Sequence, residues 1–585
     1  MDLGPNPLPP VQDSAVSVGV DPFITLPPSA EDEPPARVQQ LALVPGQNDA
    51  IAALDTRGLV WLIEDGVIRE TPLADLRGQI DFVEPGAEAG LRSLAFHSDY
   101  ATPGAPGEGR LYLAFSARPE TAPSATPLFE VPGRAAQFHD VVAEFTVDPA
   151  DPIVDPGTAR ELLRIAQPLG NHNFGQLAFD HDLEPGEPGY GLLFMGIGDG
   201  GGTNNVLGTA RDLSLIHGKV ARIDPLGGPD GAPYAIPDDN PFADAVQALP
   251  ELYAYGFRNP QALSFDNGLL FASDIGQNRV EEINLVLRGA DHGWSIREGT
   301  FEADDGAITR LPSDDPITLQ YPITQYDHDE IGGLSAAVGG GIVYGGDGVP
   351  GLDDHYVFTD FPTGRLFALP LEGLEQTLAD GRVAPNETVA PLNLQVVDGT
   401  GELTSFREFS ATGSGRVDLR LAEGPDGEIL AFSKASGTIF TLARAIGTGL
   451  TSEEAQTVAY LYEAALDRDG EIDLPGLNFW IDAREDGLSA LHLADLFLES
   501  DEFEARFGDV DTLSDGDFID LLYDNVLGRA GDAPGVAFWT AVAGQSGTER
   551  AELLLAFATS NENTDARAFV ETLNETAPGD WSFVG

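Results

Sequence analysis

From Val38 to Leu442 the chain repeats one short unit: an alternating apolar run, a turn carrying Asp, Gly or Pro, and a second apolar run. Gln40–Val44 with Ala50–Leu54 is one instance, Leu91–Phe96 with Gly109–Phe115 another, and Gln176–Phe179 with Gly191–Ile197 a third. Leu263–Phe265 with Gly268–Ser273, Tyr356–Asp360 with Gly364–Leu369, and Leu419–Ala422 with Gly427–Ser433 continue it. Side chains of a strand alternate between two faces, so period-2 runs bounded by turn residues signal strands. Repetition of such pairs without long helices predicts antiparallel sheets arranged radially, a β-propeller. The spacing is uneven and does not by itself count the blades. Residues 1–36, rich in proline and acid, read as a disordered or extended leader.

After Gly447-Thr448-Gly449-Leu450 the texture changes. Thr451 with Glu454 makes a capping-box pattern ahead of a helical run, Ala455–Leu466, and Ser514 with Asp517 opens Phe518–Leu527 in a similar way. Two halves repeat: Leu461-Tyr462 matches Leu522-Tyr523, Pro475-Gly476 matches Pro534-Gly535, and Phe479-Trp480 matches Phe538-Trp539. Leu493, Leu496 and Phe497 recur at helical spacing. Asp467-Arg468-Asp469-Gly470 lacks the later ligands and terminal glutamate of a calcium loop and reads as an interhelical turn. At 585 residues the chain exceeds the size of one core. The expected fold is therefore mainly β, a propeller over 37–446, followed by a small, duplicated all-α domain over 447–585.

The formal net charge is -64, which argues against nucleic acid and against an anionic membrane surface as partners. Only Lys219 and Lys434 are lysine; every other basic side chain, histidine aside, is arginine. A lysine-poor acidic surface suits a saline medium, where ions screen self-repulsion, and a GC-rich coding bias gives the same pattern. Cysteine is absent, so disulfides and thiolate metal sites are excluded. No apolar run reaches the roughly 18 residues of a membrane helix. Residues 1–36 lack the basic and apolar regions of a signal peptide.

Candidate chemistry stands at strand ends beside glycine-rich loops, where scaffolds present functional groups. Asn171-His172-Asn173-Phe174-Gly175-Gln176-Leu177-Ala178-Phe179 is followed by Gly196-Ile197-Gly198-Asp199-Gly200-Gly201-Gly202, and then by Tyr255-Gly256-Phe257-Arg258-Asn259-Pro260-Gln261-Ala262-Leu263-Ser264-Phe265. An imidazole titrating near neutral pH can take a proton. Asp199 alone would be a turn former, and Arg258-Asn259-Pro260 alone could close a turn. His97, after Leu94-Ala95-Phe96, and Lys219, in Gly218-Lys219-Val220-Ala221-Arg222, read as structural residues.

With Asp274-Ile275-Gly276-Gln277-Asn278, Glu281-Glu282-Ile283-Asn284 and Gly293-Trp294, this order of motifs resembles the soluble sugar dehydrogenases that use pyrroloquinoline quinone, the glucose/sorbosone dehydrogenase family, across roughly residues 35 to 445. The resemblance implies six blades, an aldose-type sugar substrate, and an external electron acceptor, a quinone or a cytochrome. It implies that His172 is the base, that Asp199 holds its ring, that Arg258 stabilises charge developing on the quinone, and that Asn259 donates to the same edge. Backbone carbonyls of Gly276 and Gln277 would bind a calcium ion that the cofactor also coordinates. Family habit implies an exported protein, periplasmic or extracellular. The helical repeat resembles an uncharacterised module appended to secreted bacterial enzymes and calcium-repeat proteins.

The chain departs from the family pattern where the cofactor's three carboxylates would be held. Pro362 stands where glucose-oxidising members have a lysine, and Arg416-Val417-Asp418-Leu419-Arg420 replaces an Arg-x-Arg-Asp run, matching one arginine, Arg416. Glu88 falls at a pocket glutamine and would repel an anion, with Arg92 a compensating cation nearby. Two other readings follow: a non-catalytic propeller binding a protein or glycan, resembling hedgehog-interacting proteins, and a propeller hydrolase acting on lactones, whose carboxylate calcium shell has no visible counterpart.

Overall fold

A computed structural model describes residues 6–29, 35–47, 50–80, 88–121, 126–304, 307–310, 318–331, 333–346, 349, 351–352, 354–371, 382–385, 387–398, 403–410, 415–444, 452–466, 472–485, 488, 490–498, 500–508, 510–543, 550–577 and 580–583. The Asp467-to-Gly470 turn and the Thr451 cap lie outside the described residues. The chain divides into two compact units, the first ending at Arg444.

Among the described residues the first unit is a propeller of six blades, each built on four strands, with a short extra strand on some. Its innermost strands are Val38–Leu43, Leu91–Phe96, Phe174–Ala178, Pro260–Asp266, Val338–Tyr344 and Leu419–Glu423. They touch one another in that order, and the last touches the first, so the ring is closed. From each, the chain runs outward through antiparallel neighbours, as in Phe174–Ala178, Leu193–Ile197, Lys219–Ile223 and Leu252–Tyr255 of the third blade.

Apolar clusters lie between neighbouring blades. Leu54, Val60 and Leu62 of the first blade meet Leu94, Leu111 and Val141 of the second. Phe271 and Ile283 of the fourth meet Tyr356, Phe358 and Phe367 of the fifth. Both faces of a blade are thus covered, which explains strands such as Ile51–Asp55 and Leu193–Ile197 that are buried at every position.

Within the disordered or extended leader expected over residues 1–36, one segment is extended as part of the propeller itself. Gln12–Thr25 form a strand that completes the sixth blade, antiparallel to Thr438–Arg444. It also runs parallel to Leu392–Val397, the outer strand of the fifth blade. Beyond Gly19 the pairing to the fifth blade ends and one side of the strand is open, which accommodates Pro22: Val18 and Val20 are buried while Asp21 and Pro22 are exposed.

The second unit is helical and has its own core. Ser452–Leu466, Leu474–Glu485, Ala490–Leu498 and Asp501–Phe507 are echoed by Asp515–Asn525, Ala533–Ala543, Arg550–Ala558 and Asn561–Ala566. Trp480 packs on Phe497 as Trp539 packs on Phe557. No helix among the described residues is long and apolar enough to cross a membrane.

Candidate active site

One end of the ring collects the residues just before each innermost strand and the loops that follow the second strands. Arg37, His172, Arg258-Asn259, Ala336-Ala337 and Asp418 come from the first group; Ile275 to Gln277, Phe361-Pro362 and Lys434 from the second. They line a cavity of about 540 Å³. Glu88, Arg92 and Arg416 line it too, so the sequence-derived candidates converge there, with Asp199 directly behind His172.

His172 has a left-handed backbone, φ 53°, and its Nδ1 lies 2.7 Å from Asp199 Oδ1. The glycine loop makes this approach possible. A Cβ on Gly198 would come within 2.4 Å of the His172 carbonyl oxygen, and one on Gly201 within 2.5 Å of Asn171 Oδ1. Asp199 is fully buried and accepts from Gly201 N at 3.0 Å through Oδ1 and from Trp294 Nε1 at 2.9 Å through Oδ2. An ionised carboxylate only accepts, so Nδ1 carries the proton and Nε2 is the ring nitrogen left for a ligand. Behind the dyad, the Lys219 ammonium donates to the carbonyls of Thr209, Ala210 and His217, and Thr209 Oγ1 donates to Asp199 O. Burial pushes the Lys219 pKa down to about 7. It therefore braces the loop under Asp199, a more specific task than blade packing.

Arg258 and Asn259 enter from the fourth blade. Their backbone N–H groups donate to Asp274, which is buried beneath them with its cross-strand partner Glu282. Burial raises the pKa of both carboxyls, and the Asp274 charge adds to the effect on Glu282. Arg258 lies over the Trp294 ring, 5.7 Å from its centroid, and its Nη1 donates to the carbonyls of Ile275 (2.8 Å) and Gly276 (2.7 Å). This bears on the calcium expectation for Gly276 and Gln277. The Gly276 carbonyl is already taken by a guanidinium, which would repel a dication at the same oxygen. Gln277 turns its side-chain amide to Asn204. Arg258 thus competes with a cation for the Gly276 carbonyl.

Glu88 lines the cavity and accepts from two neutral amides, Gln261 Nε2 at 2.9 Å and Asn259 Nδ2 at 3.4 Å, which orient its carboxylate but supply no compensating positive charge. Arg92 donates to the Phe174 carbonyl and to Gln261 Oε1. Asn259 Oδ1 is buried without a hydrogen-bond partner among the described residues. The cavity also holds Arg37, Arg420 and Lys434, which sequence reasoning did not select. Their one sequence signal is position, next to an innermost strand or just after a second strand. His97 is buried well away, accepting Asp99 N at Nδ1 and packing on Phe179. His328 lines the cavity and is paired with Glu281.

Chemically, the arrangement offers an oriented imidazole facing a cation-rich chamber. Several guanidiniums and an ammonium fit a multiply charged anionic ligand such as a tricarboxylate cofactor, and they sit in the cavity that His172 lines.

A family model described as glucose/sorbosone dehydrogenase matches residues 40–389. The chain belongs to that family. A second model, of a domain of unknown function (DUF4214), matches residues 494–566 of the helical unit. Among individual proteins, the chain is 27% identical over 396 residues to the HIPL1 protein of Arabidopsis thaliana, covering 60% of this chain and 54% of that one. It is 35% identical over 129 residues to the aldose sugar dehydrogenase YliI of Escherichia coli strain K12 (22% and 30% covered). It is 29% identical over 255 residues to the human Hedgehog-interacting protein (41% and 33% covered). The chain thus spans about half the length of HIPL1, and less of the other two.

Proposed function

We propose that the propeller is a pyrroloquinoline quinone-dependent dehydrogenase that oxidises aldose-type sugars at the anomeric carbon, with an external quinone or cytochrome as final acceptor. The observation carrying this reading is the His172–Asp199 dyad beside Arg258 and Asn259 in a cavity rich in cations. Bound pyrroloquinoline quinone supplies a two-electron hydride acceptor that no side chain can provide. The chain's own part is proton handling and charge placement. His172 Nε2 takes the proton of the sugar's anomeric hydroxyl, and the buried Asp199 carboxylate steadies the imidazolium so formed. Arg258 presents fixed positive charge, and Asn259 a side-chain amide, at the reacting end. Arg37, Arg92, Arg416, Arg420 and Lys434 would hold the carboxylates. Family membership also supports an exported, periplasmic or extracellular location.

The test is to add the quinone to purified protein, follow its bound absorbance band, and then assay dye reduction with aldoses. Wild type should bind and turn over; His172→Ala should bind and fail to turn over. A second reading, a non-catalytic propeller that binds a protein or glycan, draws on the Gly276 carbonyl being occupied by Arg258. It also draws on the likeness to the Hedgehog-interacting protein. Wild-type protein that binds no quinone would favour it.

A further inference from the structure

The chain holds 31 Lys and Arg side chains, and only Lys219 and Lys434 are lysine. Both sit at the site: Lys219 in its cage of three carbonyls behind Asp199, Lys434 on the cavity wall opposite in the ring. Arginine serves every other Lys or Arg position, and these two alone carry a compact ammonium. An ammonium is a small point charge with three rotatable donors, whereas a guanidinium is a wide planar fork.

Lys434 follows the strand Ile429–Ser433, and its ammonium donates to Gln39 Oε1 at 3.0 Å. That is its single hydrogen bond among the described residues, so two of its three N–H groups remain for a ligand. The side chain is half-buried, and its open surface faces the cavity. Around it stand Arg37, Arg92, Arg416 and Arg420. The one carboxylate among them is Asp418, which pairs with Arg416 at 2.8 Å. Glu88, the other acid of the cavity, is held by Gln261 and Asn259. Arg416 and Arg420 lie against the Phe361 ring, 5.3 and 5.2 Å from its centroid, which limits where their charges can go.

We propose that Lys434, supported by Arg37 and Arg420, is a carboxylate clamp for the ligand of this cavity, doing from the sixth blade what a lysine at position 362 would do from the fifth. The inference rests on the reading of the cavity as the seat of a tricarboxylate quinone. Electrostatics agree with the geometry. Burial, then repulsion from Arg420, Arg92 and Arg37, hold the Lys434 pKa well below the usual lysine value, and burial brings Arg420 down to about 10. An arriving carboxylate offsets that repulsion and restores the ammonium, so binding takes up a proton and weakens as pH rises.

The experiment titrates the full-length protein with pyrroloquinoline quinone and, separately, with citrate, a tricarboxylate without a quinone. Calorimetry at about pH 8 in buffers of different ionisation heat reads affinity and proton uptake together. Wild type should bind both with net uptake. Lys434→Met should weaken both by roughly ten- to a hundredfold and abolish the uptake. Lys434→Arg, which keeps the charge but does not titrate, should bind without uptake. Thermal melts of each variant check folding. Unchanged binding of both ligands by folded Lys434→Met overturns the clamp while leaving the quinone reading intact. Citrate binding that depends on Lys434, with no quinone binding, keeps the clamp and overturns the quinone. Absence of both from wild type overturns the clamp.

Discussion

Asp199→Asn tests the dyad through a constraint that the structure makes unusually tight. Oδ1 accepts from His172 Nδ1 and Gly201 N, and Oδ2 accepts from Trp294 Nε1. An amide has one oxygen and one NH₂, so either orientation places a donor against a donor. With nitrogen toward His172, it faces the Gly201 N–H and forces the imidazole to lose its Nδ1 proton, which moves the proton to Nε2 and removes the base. With nitrogen toward Trp294, it faces the indole N–H. Losing a buried hydrogen bond to a charged group costs about 1.5–3 kcal/mol, roughly ten- to a hundredfold in rate. Tautomer inversion carries the loss toward about ten-thousandfold, the figure for the equivalent amide change in a serine-protease triad. The geometry also supplies a rescue. Trp294→Phe removes the indole donor, so in Asp199→Asn/Trp294→Phe the amide nitrogen can turn to the ring and the oxygen back to His172. Dye-linked turnover, measured at saturating quinone, should fall sharply in Asp199→Asn, modestly in Trp294→Phe, and partly recover in the double variant. A double variant no better than Asp199→Asn, with quinone binding intact, would refute the claim that Asp199 acts by fixing the tautomer.

Two further outcomes concern stability. Glu282 has a folded-state pKa raised above the unfolded carboxylate value, so the folded protein holds a proton that the unfolded chain releases. Stability from this group is present at low pH and is lost as pH rises through the raised value, each pH unit of difference being worth about 1.4 kcal/mol. Glu282→Gln mimics the protonated acid, can still accept from Gly299 N, and should raise the propeller's melting temperature more in alkaline than in mildly acidic buffer; an equal effect at both would contradict the buried-pair account. Raising sodium chloride from 0.01 M to 1 M shortens the Debye length from about 30 Å to about 3 Å. With a net charge of -64, the melting temperature should climb across that range, and a flat or falling curve would remove the argument from self-repulsion.

Local features of this protein were legible in its sequence. The paired runs predicted at Leu91–Phe96 and Leu419–Ala422 coincide with innermost strands, because short apolar runs bounded by turn residues mark strands even where both faces are covered. The His172–Asp199 contact follows from motifs 27 residues apart that lie on neighbouring strand ends. What could not be read is what depends on closure. Gln12–Thr25 looked like a leader because its partner lies more than four hundred residues away; Thr25 and Thr438 bond across 413 positions. The cation cluster was underestimated for the same reason. Arg420 lies on, and Lys434 just after, paired strands of the sixth blade, and Arg37, far off along the chain, joins them only when that blade meets the first. The amide partners of Glu88, Gln261 and Asn259, were equally out of reach, because they come from a different blade.

The strand that completes the sixth blade gives this ring a fastener whose two halves are made far apart in synthesis. Gln12–Thr25 leaves the ribosome before any other strand of the propeller, and Thr438–Arg444 only after the other five blades. Until then the ring can be assembled but not sealed, since a contact of such sequence separation meets its full loop-closure cost before returning any stability. The waiting edge of Thr438–Arg444 is an unpaired row of donors and acceptors, open to the corresponding strand of a second chain. An exchanged dimer would therefore reuse the monomer's own closing register, Val18 opposite Arg444 through Thr25 opposite Thr438. By the same logic, a free peptide spanning residues 12–25 is the natural complement of a propeller from which that strand has been cut.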